Sequence, residues 1–354
     1  MYPHFTLSGT PYEIGLKHGS LAKELVIRNI TGYEKLFRDL NGLSWDSVIN
    51  EAINYIPAIK KFDEDLIEEM KGLADGAGVD FNSILALNCR SELIMNSKMI
   101  DAIGGCTSFG IMPEKTSGST YMGQNWDFFE SQKDVIIVLE IDQANKPKIL
   151  MITEAGIIGK IGINSNGLAV CLNALVTEQV TDGTPLHLVL RGILNAPNLN
   201  AAVATAQGSE IASACNFLIG QQGVTVISME MIPDDFEIIF PDEGTIIHTN
   251  HILSDRLDRK VVDLGRGFGF STFFRLQRAK KLYGEVSEHD LDSIMALQSD
   301  HVNFPNSICA HMDPDKPQSM RTIFSVIFDL ETCSLYLSSG YPCESEYKNI
   351  SFID

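Results

Sequence analysis

The sequence predicts an α+β fold in which two stacked, mainly antiparallel β-sheets are covered by helices, a four-layer αββα sandwich. Three observations lead there. The first hundred residues carry apolar side chains at helical spacing. After Cys106 the pattern changes to short runs joined by Gly-, Asn- and Pro-containing turns. A pair of helical segments interrupts those hairpins midway. Sheets with one apolar face bury it against one another, and helices cover what remains.

The elements follow in order. Tyr12 to Phe37 has helical periodicity, with Gly15 and Gly19 as weak points. Trp45 to Ile59 and Phe62 to Leu73 repeat it, Ala74–Gly78 stops the second, and Asn82 to Met95 is amphipathic. Strands are expected at Val135–Ile141, Lys148–Thr153, Ile157–Ile163 and Leu168–Asn173, the last two joined through an Asn166-Gly167 hairpin signal. Pro185–Leu194 and Leu199–Ala206 return to helix. Asn216–Ile219 and Val224–Met229 flank a Gly220–Gly223 turn, and Glu237–Phe240 and Thr245–Thr249 are further strands. Helices at Ser271–Tyr283 and Glu288–Leu297 precede a last hairpin, Arg321–Asp329 with Ser334–Ser338. No internal repeat, low-complexity segment or linker is visible.

One hairpin organises the chemistry. Cys106 begins an extended run, a second ends at Asp127, and the polar segment Pro113–Gly118 lies between them. Cys106 and Asp127 are symmetric about a midpoint between Thr116 and Ser117, so the pairing is expected to bring thiol and carboxylate together at the open end. Asn125 shares a strand face with Asp127. Gly104-Gly105 gives the backbone before the cysteine unusual freedom.

Composition excludes several classes. Forty-six acidic against 27 basic residues leave a net charge of −19, which repels phosphate backbones and anionic lipid, so neither nucleic acid nor a membrane surface is expected as a partner. Residues 1–15 show no basic stretch followed by an apolar core, and no apolar run approaches the roughly 20 residues that span a bilayer. The seven cysteines are scattered without a CxxC, which favours reduced thiols in a cytoplasmic protein over a disulfide framework or a zinc site. His248 and His251 form an HxxH without the glutamate or i,i+4 spacing of a zinc protease helix; they read as structural, and neither a metal nor another cofactor is expected.

Gly105-Cys106-Thr107, Gly123-Gln124-Asn125-Trp126-Asp127 and His248-Thr249-Asn250-His251, in this order, resemble the acyl-coenzyme A:6-aminopenicillanic acid acyltransferase family of N-terminal-nucleophile (Ntn) hydrolases. They are more distantly similar to the choloylglycine hydrolases. The likeness runs over most of the chain, from Tyr12-Glu13-Ile14-Gly15 and His18-Gly19 onward. It implies the αββα fold and an inactive precursor that cuts itself between Gly105 and Cys106. Residues 1–105 then form a helical propeptide or small subunit, and residues 106–354 one catalytic subunit. The resemblance also implies that Asp127 is the active-site aspartate and Asn250 the oxyanion-hole asparagine. Asn173 is similar to a second asparagine lining the choloylglycine hydrolase site, and Arg275 to a late arginine there; Asn125 and Thr107 complete the candidate set. Choloylglycine hydrolases carry an arginine at Gln124, and the fungal acyltransferases follow Ser307-Ile308-Cys309 with an arginine where this chain has Ala310.

The residue chemistry agrees with that implication. A thiol with an ordinary pKa of about 8.5 is mostly protonated at neutral pH and needs a base. An α-amine freed at Cys106, with a pKa of about 7.7–8.0, would supply one without a histidine. Before the cut, the same thiol would attack the Gly105 carbonyl. The expected activity is hydrolysis of a linear amide such as an N-acyl amino acid or small peptide through an S-acyl-Cys106 intermediate. Acyl transfer from a thioester is the alternative within the enzyme class, and an uncleaved binding or scaffold protein of the same fold the alternative outside it. The partners are then an acyl amide or thioester and the chain's own N-terminal fragment, with homo-oligomer formation left open.

Overall fold

The computed structural model describes residues 1–96, 105–267, 271–315 and 319–353. Gly104, of the expected flexible pair, lies outside them. The N-terminal part comprises β1 (His4–Gly9), α1 (Pro11–Leu21), α2 (Lys23–Asn41), α3 (Trp45–Ala52), α4 (Ile56–Phe62), α5 (Glu64–Ala77), α6 (Phe81–Asn88) and α7 (Arg90–Asn96). Six strands follow: β2 (Thr107–Ile111), β3 (Tyr121–Phe129), β4 (Ile136–Gln143), β5 (Ile149–Glu154), β6 (Ile161–Asn164) and β7 (Leu168–Ala174). After α8 (Leu186–Leu194) and α9 (Leu199–Gln207) come β8 (Cys215–Gln221), β9 (Thr225–Ile232), β10 (Asp235–Ile239) and β11 (Thr245–His248). The chain ends with α10 (Asp255–Asp258), α11 (Ser271–Glu285), α12 (Leu291–Gln298), β12 (Met320–Asp329), β13 (Ser334–Ser339) and β14 (Tyr347–Ile350).

Two sheets result, an eight-stranded one in the order β1-β4-β5-β6-β7-β8-β9-β10 and a six-stranded one in the order β11-β2-β3-β12-β13-β14. All ladders are antiparallel except β1 with β4. β2 and β3 face β7 across the inter-sheet space, α8 and α9 cover the far side of the larger sheet, and α11 lies against β11 on the smaller one. This is the expected four-layer sandwich. One apolar core runs from Leu7 to Ile350 through both sheets. A smaller one, including Phe109, Ile247, Leu276 and Tyr283, lies between the six-stranded sheet and α11.

Several expectations need correction. β1 was not anticipated: of HFTLSG only Leu7 is fully buried, so its alternation is too weak to read. β14 joins the last hairpin as an unforeseen edge strand. The helix expected over 12–37 breaks at Ala22, and the one over 45–59 passes through a 3-10 turn at Ile53–Tyr55 before Pro57 opens α4. Asp63 is extended and its side chain caps α5, which therefore starts at Glu64; α5 runs past the expected stop to Ala77 and ends only where Gly78 turns left-handed. β6 starts at Ile161 rather than at Ile157, and residues 157–160 are irregular.

Candidate active site

The β2–β3 ladder pairs Thr107 with Asn125, Ser108 with Gln124 and Ile111 with Tyr121. Its centre is Thr116 itself, half a residue from the expected midpoint. Continuing that register sets Trp126 opposite Cys106, and Asp127 opposite Gly105. The shift has a consequence, because side chains alternate between the two faces of a sheet. Ser108 and Gln124 point between the sheets: Ser108 Oγ donates to Asn173 Oδ1 (2.6 Å), and Gln124 bonds both the carbonyl (2.6 Å) and the amide (2.9 Å) of Leu172 in β7. Phe109 points the other way and stacks on Tyr283 of α11, ring centroids 5.1 Å apart. The Cys106 thiol thus belongs to the inter-sheet face and the Asp127 carboxylate to the helix face. They remain neighbours around the strand end, with Cys106 Sγ 4.0 Å from the Asp127 carbonyl oxygen.

Asp127 is buried, and Thr322 of β12 donates to its Oδ1 (2.7 Å). Its Oδ2 is buried without a hydrogen-bond partner. A Cβ placed on Gly105 would lie 2.6 Å from Asp127 Cβ and 3.0 Å from Oδ2, so the carboxyl rests directly over the residue that precedes the cysteine. Only glycine fits there. Burial raises the Asp127 carboxyl to about 8 against the opposing pull of Arg275 and Thr322. Burial, followed by the nearby Asp127, raises the Cys106 thiol to about 11. With the 105–106 peptide bond intact, the thiol is therefore protonated at neutral pH.

The other candidates converge on the same strand end, apart from one. Arg275 of α11 is buried, and its Nη1 donates to the Cys106 carbonyl (2.6 Å) and to Thr107 Oγ1 (3.0 Å). Its Nη2 donates to Asn250 Oδ1 (3.0 Å), which fixes the asparagine's amide orientation, and Asn250 Nδ2 then donates to the Ala174 carbonyl (3.0 Å). Asn173 Nδ2 lies 3.4 Å from the Cys106 carbonyl, while its Oδ1 accepts from Ser108 and from Asn216 (3.1 Å). Asn125 turns away, its Nδ2 held by the carbonyls of Gln298 (2.8 Å) and Ile308 (2.9 Å). It anchors the loop after α12 and does not line the site. His248 Nε2 bonds Glu230 Oε1 (2.7 Å) and His251 Nδ1 bonds Thr272 Oγ1 (2.8 Å).

Cys106, Asp127 and Asn250 border a narrow, mainly apolar cleft. Trp126 and Phe128 of β3, Leu172 and Ala174 of β7, and Leu186 of α8 contribute walls; Arg90, Ser91, Ile94 and Met95 of α7 complete them. Beneath lies a buried ionic cluster that sequence reasoning missed. Glu154 Oε2 accepts from Arg90 (2.6 Å) and from Lys160, and Oε1 from Tyr33 (2.5 Å). Burial works to raise the Glu154 carboxyl, but Arg90 and Lys160 overcome it and hold it well below the usual range. Burial lowers Lys160 to about 7 in spite of Glu154. Lys160 Nζ also sits 3.7 Å from the centre of the Trp126 ring, and the Arg90 guanidinium 4.7 Å from that of Phe128. A sequence signal for Arg90 existed: Asn88, Arg90 and Glu92 interrupt an otherwise apolar helical stretch, and charges so placed need partners. Thr322 gave none, because only the β12–β3 ladder brings it to Asp127.

A two-sheet αββα sandwich with a cysteine at the head of an interior strand has the architecture of the Ntn-hydrolase class. More particularly, the chain belongs to the acyl-coenzyme A:6-aminopenicillanic acid acyl-transferase family, whose model matches residues 114–344, and it is an enzyme of that acyl-transfer class. The acyl-coenzyme A:6-aminopenicillanic-acid-acyltransferase 40 kDa form of Emericella nidulans is 32% identical over 337 residues, covering 92% of this chain and 89% of that protein. Among solved structures, penicillin V acylase from Agrobacterium tumefaciens aligns with a TM-score of 0.48 at 11% identity, covering 70% of this chain and 86% of that one. A variant of the conjugated bile acid hydrolase from Clostridium perfringens aligns with a TM-score of 0.46 at 13% identity, covering 70% and 97%.

Proposed function

We propose that the chain cuts itself between Gly105 and Cys106 and then works as a cysteine amidase or acyltransferase through an S-acyl-Cys106 intermediate. The observation that carries this reading is the unpartnered Asp127 Oδ2 resting over Gly105, one residue before a thiol that opens into a cleft. In the uncut chain the Cys106 thiol attacks the Gly105 carbonyl and gives up its proton to the amide nitrogen, which leaves as the α-amine of Cys106, and water hydrolyses the resulting thioester. The new amine arises beside Asp127 Oδ2, an acceptor that until then is buried without a donor. So held, the amine takes the thiol proton and later returns it to the leaving group. Asn250 spends one of its two amide protons on Ala174 and its oxygen on Arg275. The second proton is left for the tetrahedral oxyanion, a contribution of about 3–4 kcal/mol.

The cleft favours an apolar acyl group, since Ile94, Met95, Leu172 and Phe128 give it an apolar lining while the Arg90 guanidinium at its wall is committed to Glu154 and Ser91. Hydrolysis of an N-acyl amino acid or small peptide amide is accordingly the first reading. Transfer from an acyl thioester is the second, favoured by the name of the relative from Emericella nidulans.

Intact mass under denaturing conditions, with N-terminal sequencing, tests the proposal. We expect residues 1–105 and 106–354 as separate species, the second beginning with Cys106, and Cys106→Ala to remain one chain without turnover. Incubation with N-acyl amino acids, or with an acyl-coenzyme A and an amine, then assigns the donor through the acyl adduct on Cys106. A persistently uncut wild-type chain would overturn self-activation and favour a binding or scaffold role.

A further inference from the structure

Away from the cleft, the loop between α12 and β12 and the turn after β13 bring four side chains together: His301, Cys309, His311 and Cys343. Their ligand atoms all lie within 4.8 Å of one another. His311 Nε2 is 3.1 Å from His301 Nε2, 3.6 Å from Cys309 Sγ and 3.4 Å from Cys343 Sγ, and the two sulfurs are 3.6 Å apart without being bonded. We propose that these four residues form a tetrahedral site for a zinc ion.

The four separations of 3.1–3.6 Å come close to what that ion needs. Tetrahedral zinc with bonds of about 2.3 Å to sulfur and about 2.0–2.1 Å to nitrogen sets its ligand atoms about 3.3–3.8 Å apart. Two thiolates and two imidazoles are a common structural zinc set. Without a cation the cluster is poorly satisfied. One ring nitrogen carries either a single proton or a single lone pair, and His311 Nε2 faces three such atoms at once. A disulfide needs sulfurs about 2.05 Å apart and would leave both imidazoles unused. The His311 ring is fixed by stacking on Tyr341, centroids 3.9 Å apart and planes at 13°. Cys309 is buried while His301 and Cys343 are exposed, so the site has a floor and an entrance. Scattered spacing hid it from the sequence, because the fold brings Cys343 back from beyond a hairpin.

The site stands behind the catalytic carboxylate. Next to Cys309, the Ala310 amide donates to Thr322 Oγ1 (3.0 Å), the hydroxyl that donates to Asp127 Oδ1. The Ala310 carbonyl accepts from the Thr322 amide (2.9 Å). A bound ion would pin this loop and with it the position of Asp127.

The test uses the full-length protein without a histidine tag, kept reduced and stripped of metal. Titration with Co2+ should give the intense visible absorption of a tetrahedral thiolate-bound ion at one equivalent, bleached by one equivalent of Zn2+. Cys343→Ser and His301→Ala change exposed positions and should keep the native circular dichroism while losing that spectrum. Zinc should raise the melting temperature of the wild type and leave Cys343→Ser unmoved. A spectrum without tetrahedral bands, or one identical in Cys343→Ser, would overturn the proposal. So would freshly isolated, metal-free protein whose Cys309 and Cys343 are joined in a disulfide.

Discussion

With Oδ1 held by Thr322 and Oδ2 left without a donor, Asp127 keeps a proton in the uncut chain that it would lose in water. Its carboxyl, ordinarily at 3.8, is raised by burial to about 8. Between those values the folded uncut protein binds a proton here that the unfolded chain has released. Stability therefore falls as pH rises through this window, with a slope approaching about 1.4 kcal/mol per pH unit. In a Cys106→Ala background, Asp127→Asn should remove that component. Urea unfolding at pH 5 and pH 8 should show the double variant gaining on the single one as pH rises, while Glu92 and Lys160, each shifted to about 7, titrate equally in both. Equal pH slopes would mean that the carboxyl is ionised throughout. That Cys106, Asp127, Asn250 and Arg275 belong together was legible because short motifs carry them, and the fold brings all four to one strand end. Their faces were not, since a half-residue error in the turn centre moves a partner to the other side of the sheet. Thr322 meets Asp127 and Arg90 meets Glu154 through contacts far apart in sequence; the polar residues around Arg90 signal that a partner is needed, but no local pattern says which.

At the scale of elements, the pairing of α1 with α5 shows how a local reading can be right about residues and wrong about their purpose. Gly15 and Gly19 read as weak points in a helix. In the fold they meet Gly72 and Gly76 of α5: a Cβ on Gly15 would lie 1.9 Å from the Glu69 carbonyl oxygen, and one on Gly72 2.0 Å from that of Tyr12. The glycines are where two backbones touch, and their low helix propensity is offset by close packing. Gly72→Ala, normally a helix-stabilising exchange, should here cost about 2 kcal/mol or more, since backbone atoms cannot yield as a flexible side chain can. Chemical denaturation compares it with Gly284→Ala in α11, where a Cβ meets nothing within 4 Å and the exchange should be neutral or stabilising. Equal effects at both positions would show that propensity alone decides. The hairpins around Gly167 and Gly223 were readable because positive φ at a turn has a compositional signature. β1 was not, because its parallel partner, β4, lies far along the chain, beyond α1 to α7.

Over the whole molecule, a cut after Gly105 would divide the sequence without dividing the core. β1 pairs with β4 over six residues, His4 to Gly9 against Val138 to Gln143. Tyr2 donates to the Ile323 carbonyl (2.7 Å), Asn29 to that of Ala155 (2.8 Å), and Asn88 to that of Gly156 (2.9 Å) while accepting from the Ile158 amide (2.9 Å). Glu69 meets Arg191 (2.9 Å), and Arg90 meets Glu154 beneath the cleft. Apolar residues on both sides of position 105 share one cluster. The fragment 1–105 is therefore expected to stay bound as a subunit, co-eluting with 106–354 in size-exclusion chromatography and separating only in denaturant. Refolded alone, 106–354 would expose the apolar face left by α1 to α7. It would also lose Arg90 and Tyr33, leaving Lys160 as the one partner of Glu154 from the original cluster and the cleft without its α7 wall. It should aggregate or stay inactive, and mixing in 1–105 during refolding should restore turnover. Recovery of full activity by 106–354 alone would show that the N-terminal helices are needed neither for folding nor for building the cleft.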